Sequence, residues 1–89
     1  MREELWVAWL NVSAKTAEKI QHRHGLSALE VRDAVVCREG LVYTWHHHPE
    51  RGVRALVQVR IRGMTTLVVL YPATELDGDV YNLGSAYPI

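Results

Sequence analysis

The chain has 89 residues, ten basic and ten acidic side chains and a formal net charge of zero, which predicts one small domain rather than several. Its 48% hydrophobic and 22% charged residues are typical of a globular protein and exclude a disordered, collagen-like or coiled-coil chain. A domain of this size buries a modest core, so we expect association with a partner or a second copy to add to its stability.

The single cysteine and the N-terminal segment predict a cytoplasmic protein. Cys37 has no second cysteine with which to form an internal disulfide, and an unpaired thiol fits a reducing compartment. Residues 1–10 lack the basic start and the small-residue cleavage site of an export signal. The longest strongly apolar run, residues 65–71, is far below the roughly 20 residues that span a bilayer as a helix, so we expect no membrane partner.

The N-terminal part of the chain predicts a short strand and a first helix. Residues 5–10 are almost all apolar, which fits a short strand or a helical turn, and we predict a strand. Asn11 and Ser13 are both suitable N-cap residues for a helix over about residues 14–22. Gly25 then supplies the C-terminal stop.

A second helix begins at a capping box. Ser27 and Glu30 have the spacing at which each side chain binds the other's backbone N–H. Gly40 is the predicted end of this helix, which places Cys37 near its C-terminus. The apolar side chains that form one face of it are Leu29, Val31, Ala34 and Val35.

The second half of the chain changes to the period of β-strands. Residues 41–45 favour a strand, and residues 48–52 contain the proline and glycine of a turn. Residues 54–62 alternate regularly, residues 65–71 have the apolar composition of a central strand, and residues 80–86 favour a last strand. These elements predict an α+β fold, with two N-terminal helices packed on one face of an antiparallel sheet of about four strands.

The alternation in residues 54–62 predicts one buried and one cationic face. Ala55, Val57, Val59 and Ile61 point one way, and Arg54, Arg60 and Arg62 point the other. Arginine is the better bidentate ligand for phosphate. Two interpretations remain open, a phosphate-binding surface and a solvated outer face of the sheet.

Several segments resemble the BrnT-type toxins, whose fold is that of the RelE-like ribonucleases. Residues 23–27, Arg-His-Gly-Leu-Ser, are similar to a basic-His-Gly-apolar-Ser segment of that family. Arg54 follows the turn at Glu50 and Arg51, and the family also has an arginine at the start of the strand that follows an acidic turn. Residues 83–87 resemble the family's closing apolar-Ser-Ala-Arg strand. Tyr87 stands where that pattern has arginine. The resemblance implies a toxin that cleaves messenger RNA and is neutralised by a cognate antitoxin.

A ribonuclease that works without metal needs a base for the 2'-hydroxyl, a cation for the phosphate oxygens and an acid for the leaving 5'-oxygen. The candidate catalytic residues for these roles are His24, Arg54, Arg60 and Tyr87. The alternative for His24 is a cap at the C-terminus of the first helix, where the helix dipole favours a cation. Zero net charge means that RNA binding must depend on a local patch.

The run His46-His47-His48 is the most conspicuous local feature. In an extended segment His46 and His48 share a face and supply two metal ligands. Two ligands do not make a metal site, so we expect no metal and no other cofactor, and we expect the run to lie at a solvated hairpin tip.

Trp6 and Trp9 precede the first helix and are candidates for core packing or for an interface with a partner chain. A second functional hypothesis follows from the charge balance and from Tyr87: a noncatalytic protein-interaction module that keeps a toxin-like fold. A homo-oligomer is compatible with both hypotheses.

Overall fold

The computed structural model describes residues 4–73 and 79–89, and within these ranges it contains two helices and a five-stranded sheet. In chain order the elements are β1 (Trp9–Asn11), α1 (Ala14–His24), α2 (Ala28–Val35), β2 (Val42–His48), β3 (Gly52–Ile61), β4 (Met64–Pro72) and β5 (Val80–Pro88). The strand order is β1-β5-β4-β3-β2.

The predicted α+β class is confirmed, whereas the all-antiparallel, four-stranded sheet is corrected. The strand predicted over residues 5–10 is shorter and later, at Trp9–Asn11, and it joins the sheet as a fifth strand that pairs with β5 in parallel, so the sheet is mixed. The parallel pair forms because the chain crosses from β1 through the rest of the domain before β5 returns beside it. β4 lies at the centre of the sheet, as its apolar sequence predicts.

The helix starts follow the predicted caps. The Ser13 hydroxyl accepts a hydrogen bond from the Thr16 N–H at 3.1 Å, and Ser27 and Glu30 form the reciprocal capping box. Gly25 has a φ of 68°, in the left-handed region that favours glycine. α1 extends to His24, two residues beyond the predicted end at residue 22.

The second helix ends earlier than Gly40 predicts. α2 stops at Val35, and Val36 has extended backbone that bridges to Val7. The Cys37 N–H donates to the Val7 carbonyl at 2.8 Å. The chain leaves the helix at this point because pairing with the N-terminal segment replaces the helical hydrogen bonds, and the exposed Cys37 lies beyond the helix rather than within it.

The histidine run lies in a strand, not at a hairpin tip. β2 continues to His48, and His46 and His48 pair with Arg54 and Gly52 of β3. The connecting turn therefore contains only residues 49–51.

The helices cover one face of the sheet, since α1 packs against β5 and α2 packs against β3. Ile20, Val31 and Val35 of the helices meet fully buried side chains of the strands in one core. The strand members of this core include Leu10, Ala55, Val57, Val68, Leu70 and Ala86. No helix in residues 4–73 and 79–89 is long and apolar enough to cross a membrane.

Candidate functional site

The face of the sheet opposite the helices, hereafter the open face, carries a row of polar side chains across three strands. His46 of β2 pairs with Arg54 of β3. The pairing of Ala55 with Leu70 places Tyr71 of β4 on the other side of Arg54. Directly opposed residues of a sheet share a face, so His46, Arg54 and Tyr71 lie side by side.

Arg54 connects the members of this row. Its Nε donates to His46 Nδ1 at 3.1 Å, and its Nη1 donates to the Tyr71 hydroxyl at 3.3 Å. Arg54 is partly buried between the two rings, which holds the guanidinium in a fixed position. The cation is therefore flanked by an imidazole on one side and a phenol on the other.

Tyr71 receives a second cation. Burial alone raises the pKa of the Tyr71 phenol, but hydrogen bonds and positive charge from Arg54 and Arg51 outweigh burial and bring its pKa below the usual value. Both arginines stabilise the phenolate. Tyr71 is thereby a better proton donor than an ordinary tyrosine.

Gly84 provides the space that the Tyr71 ring occupies. A Cβ placed on Gly84 would lie 2.4 Å from Tyr71 Cε2 and 3.5 Å from Val69 Cγ1. β5 also shifts its register against β4 between Val69 and Leu70. The register shift in β5 and the absence of a side chain at Gly84 together allow the Tyr71 ring to lie over β5. In this position the Tyr71 hydroxyl is within hydrogen-bond distance of Arg54.

His48 belongs to the same electrostatic group through the adjoining turn. Its Nδ1 accepts hydrogen bonds from the backbone N–H groups of Glu50 and Arg51, each at 3.1 Å. Burial, followed by the positive charges of Arg54 and Arg51 and by His46, lowers the pKa of His48. The neutral ring fixes the turn that carries Arg51. We call His46, His48, Arg51, Arg54 and Tyr71 the Arg54 cluster.

Of the four predicted site residues, Arg54 alone lies in this cluster. Arg60 is on the open face, six residues further along β3, which is about 20 Å at 3.3–3.4 Å per residue. Its Nη2 donates to the Gly63 carbonyl of the β3–β4 turn at 2.8 Å. Arg60 is exposed and is held by its own hairpin.

Arg62 does not share the cationic face that the alternation predicts. β3 ends at Ile61, and Arg62 lies in the turn with a φ of 56°. Its guanidinium donates two hydrogen bonds to the carboxylate of Glu30 on α2, at 2.5 and 3.0 Å. The guanidinium leaves the open face because the turn reverses its direction and the Glu30 carboxylate attracts it. The hydrogen bonds from Arg62, followed by that from Ser27, lower the pKa of Glu30.

His24 and Tyr87 are brought together at the opposite edge of the sheet. Their ring centroids are 6.1 Å apart at an interplanar angle of 40°. α1 runs beside the part of β5 that β1 leaves unpaired, and Lys19 Nζ donates to the Gly84 carbonyl at 3.4 Å. Tyr87 lies opposite Leu67, on the order of 16 Å from Arg54 across two strand spacings and four residues.

The structure thus separates the predicted set into two groups, and it adds residues that sequence analysis did not select for catalysis. The sequence predicts Tyr71 only as the last residue of the apolar central strand, and it offers His46 only as a possible metal ligand. Knowledge of the register between β2, β3 and β4 would have identified both residues, because that register places them beside Arg54. Within residues 4–73 and 79–89 no three His, Cys, Asp or Glu side chains form a group able to hold a metal ion.

No protein-family model, curated protein or solved structure matches the chain.

Proposed function

We propose that the chain is the toxin of a toxin–antitoxin pair, has a RelE-like fold of the BrnT type and cleaves messenger RNA without metal at the Arg54 cluster. The resemblance of residues 23–27, Arg54 and residues 83–87 to the BrnT-type toxins supports the proposal. The order of elements, a strand, two helices and four further strands, is consistent with it.

One observation carries the proposal: a partly buried arginine stands between an imidazole and a phenol, two groups whose chemistry allows proton transfer. Arg54 hydrogen-bonds His46 on one side and Tyr71 on the other. In RNA cleavage the attacking 2'-oxygen and the leaving 5'-oxygen lie on opposite sides of the phosphorus atom. A cation with a base on one side and an acid on the other matches that geometry.

The proposed reaction assigns one role to each group. As Arg54 Nε turns from His46 Nδ1 to the bound phosphate, Nδ1 is freed to take the proton of the 2'-hydroxyl, and the 2'-oxygen then forms a bond to phosphorus. Arg54 and Arg51 stabilise the negative charge that develops on the nonbridging oxygens. Tyr71 gives its proton to the 5'-oxygen as the bond between phosphorus and that oxygen breaks. The products are a 2',3'-cyclic phosphate and a 5'-hydroxyl.

Electrostatics favour this end of the open face despite the zero net charge. Arg51 and Arg54 act on the same phenol, and β2 beside them contains no acidic residue. Partial burial strengthens the field of Arg54, because charges interact more strongly at low dielectric constant. The local cations thus supply the attraction that net charge does not.

In this proposal the other predicted residues bind RNA beside the cleaved phosphate. Arg60 contacts a flanking phosphate, and His24 and Tyr87 contact a flanking nucleotide at the α1 edge. The distances from Arg54 are too great for these three side chains to touch the reacting atoms. The partners are an RNA substrate and a cognate antitoxin chain, in the cytoplasm.

The test combines growth with chemistry. We expect induction of the chain in bacteria to arrest growth and co-expression of the protein encoded next to it to relieve the arrest. The purified chain should cleave messenger RNA and leave 5'-hydroxyl ends, with an unchanged rate after divalent ions are chelated. Arg54→Ala should abolish the arrest while the protein remains folded by circular dichroism.

Two results would contradict the proposal. Normal growth with abundant folded protein, together with no RNA cleavage, would favour the noncatalytic interaction module. Activity lost on chelation and restored by a divalent ion would contradict the metal-independent mechanism.

A further inference from the structure

Helix α1 concentrates positive charge in a chain whose net charge is zero. It contains three basic residues and one acidic residue, Glu18, whereas the rest of the chain contains seven basic and nine acidic residues. The basic residues follow one another at intervals of four positions, as Lys15, Lys19 and Arg23. Residues four apart are neighbours on one face of a helix. We call these three side chains the α1 basic row.

The α1 basic row borders a groove on the surface of the domain. The groove has a volume of about 380 Å³, and Glu18 and His22 complete its lining. Lys15 and Arg23 are exposed, and Lys19 is half-buried. Eight residues of helix separate the first cation from the last, which is about 12 Å. Three cations over this length fit a ligand with several negative charges in a line rather than a single anion.

Contacts across β5 connect the α1 basic row with the Arg54 cluster. Lys19 Nζ donates to the Gly84 carbonyl at 3.4 Å. The Tyr71 ring lies over Gly84, and its hydroxyl accepts a hydrogen bond from Arg54. Gly84 and Arg54 are two strand spacings apart, on the order of 10 Å. β5 itself contains no charged residue. The two cationic groups therefore border one uncharged strip of the molecule.

An aromatic pair stands at the C-terminal end of the row. The rings of His24 and Tyr87 are 6.1 Å apart; His24 is exposed and Tyr87 is half-buried. Proteins that bind single-stranded nucleic acid combine a cationic groove, which follows the phosphates, with rings on which bases stack. The α1 edge supplies both features.

We propose that the α1 basic row binds the phosphate backbone of single-stranded RNA and that one base of this strand stacks on the pair formed by His24 and Tyr87. The strand runs from the Arg54 cluster across Gly84 to α1. This assignment rests on the proposed function, because the strand is the flank of the RNA that is cut at the Arg54 cluster. RNA is favoured over an acidic protein segment or an anionic lipid surface by the continuity with that cluster and by the ring pair.

Binding of an uncleavable RNA tests the assignment separately from catalysis. A 2'-O-methyl RNA of about 12 nucleotides has no 2'-hydroxyl proton to remove. The logarithm of its association constant should fall linearly with the logarithm of salt concentration, with a slope of about 0.7 for each phosphate that a cation neutralises. Fluorescence anisotropy at several salt concentrations measures this slope.

Arg23→Gln should reduce the slope by about 0.7 and weaken binding roughly twofold to fivefold at low salt. Lys15→Gln, which also changes an exposed side chain, should give the same result and provides an independent second variant. Arg38→Gln is the matched control: it removes the same charge from an exposed arginine that follows α2, outside the groove of α1. It should keep the native slope. Circular dichroism checks that each variant is folded.

Tyr87→Leu tests the ring pair. Leucine keeps an apolar side chain and removes the aromatic face, so the affinity should fall about fivefold or more. The slope should not change, because stacking of a base on an uncharged ring releases no counterions. Loss of affinity without a change of slope distinguishes stacking from phosphate binding.

Cleavage then connects the row with the Arg54 cluster. A dinucleoside monophosphate has one phosphate, which occupies the Arg54 cluster and does not reach α1. Arg23→Gln should leave its cleavage unchanged and should raise KM for a longer RNA with kcat unchanged. If the chain cleaves no RNA but binds the 2'-O-methyl RNA with the expected dependence on Arg23, the proposed function is contradicted and the RNA site on α1 is supported.

Three results would overturn the assignment. The first is a salt slope that neither Arg23→Gln nor Lys15→Gln reduces. The second is an equal reduction in Arg38→Gln, which would mean that the RNA responds to total charge rather than to the row. The third is unchanged RNA binding in Arg23→Gln together with weaker binding to a protein partner or to vesicles of anionic phospholipid, which would assign the row to that ligand.

Discussion

The two ends of β3 place the same residue type on the same open face and give it different surroundings. Arg54 lies partly buried between His46 and Tyr71 and contacts side chains of both neighbouring strands. Arg60 is exposed and bonds the carbonyl of its own turn. Sequence alternation treats the two arginines as equivalent, and the neighbouring strands distinguish them.

The difference shows what converts a surface cation into a candidate site. Arg54 is held by hydrogen bonds to an imidazole and a phenol, so its charge acts on both rings at close range. Burial raises the pKa of Tyr71, but Arg54 together with Arg51 outweighs it and lowers that pKa. Burial is the largest cause of the lowered pKa of His48, and Arg54 is the next. The surface charge of Arg60 is screened by solvent. The comparison predicts that perturbations at the Arg54 end change chemistry and that matched ones at the Arg60 end do not.

The largest expected effect comes from replacing each arginine by alanine. Arg54→Ala removes charge-assisted contacts worth about 1.5–3 kcal/mol, so the rate of RNA cleavage should fall roughly tenfold to hundredfold. Arg60→Ala should reduce the rate only a few-fold, because the proposed mechanism gives Arg60 a flanking phosphate and no contact with the reacting atoms. Cleavage rates and thermal unfolding are measured on the same samples. Equal losses in the two variants would show that the two ends do not differ.

Gly84→Ala should disturb the Arg54 end through the Tyr71 ring. The added methyl group overlaps the ring at 2.4 Å, so the ring or β5 must move. We expect the free energy of unfolding to fall by about 1–3 kcal/mol, together with a loss of cleavage. Ser85→Ala, at the next position of β5, should change neither quantity appreciably. Denaturant unfolding measures the first quantity, and an unchanged Gly84→Ala protein would contradict the close approach of the ring.

Local sequence signals predicted the parts of the fold that depend on neighbouring residues. The caps at Ser13, Gly25 and Ser27 each involve residues within a few positions along the chain. The alternation of β3 and the central place of β4 follow from side-chain periodicity. These signals are local, and the structure confirms them.

The candidate site depends on contacts that no local signal contains. Tyr71 reaches Arg54 because of the register between β3 and β4 and because Gly84 lies beneath its ring. Arg62 leaves the open face because the turn ends β3 one residue earlier than the alternation suggests. A shift of one residue in register moves a side chain to the other face. Arg54 was therefore selected from the sequence, and its partners were not.

The titration of Tyr71 gives a spectroscopic measure of the Arg54 end. The pKa of Tyr71 lies below 10.0 because the arginines outweigh its burial. Arg54→Ala should therefore raise it, whereas Arg60→Ala should leave it unchanged. Tyr81 is an internal reference, since burial and then Asp79 raise its pKa above 10.0. Titration by ultraviolet absorbance or NMR follows both phenols, and an unchanged Tyr71 in Arg54→Ala would remove the arginine as the cause.

The smallest expected effect is a change in the pH dependence of stability at His48. Burial, then Arg54, Arg51 and His46, lower its pKa from 6.5 in the folded chain. Because the pKa of His48 is lower in the folded chain, the unfolded chain binds the proton more tightly. The contribution of His48 to the free energy of unfolding is therefore fully present above about pH 6.5 and is lost as pH falls through the folded pKa.

His48→Asn should remove this dependence and keep the turn, because the asparagine oxygen can accept the backbone N–H groups that His48 Nδ1 accepts. The free energy of unfolding, measured at about pH 7.5 and about pH 5.5, should differ less between the two conditions in His48→Asn than in the native chain. His47→Asn changes an exposed histidine of the same strand and serves as the control that keeps the native difference. If both variants show the native difference, the titration of His48 does not contribute to it, and burial and the neighbouring cations do not lower the pKa of His48 as inferred.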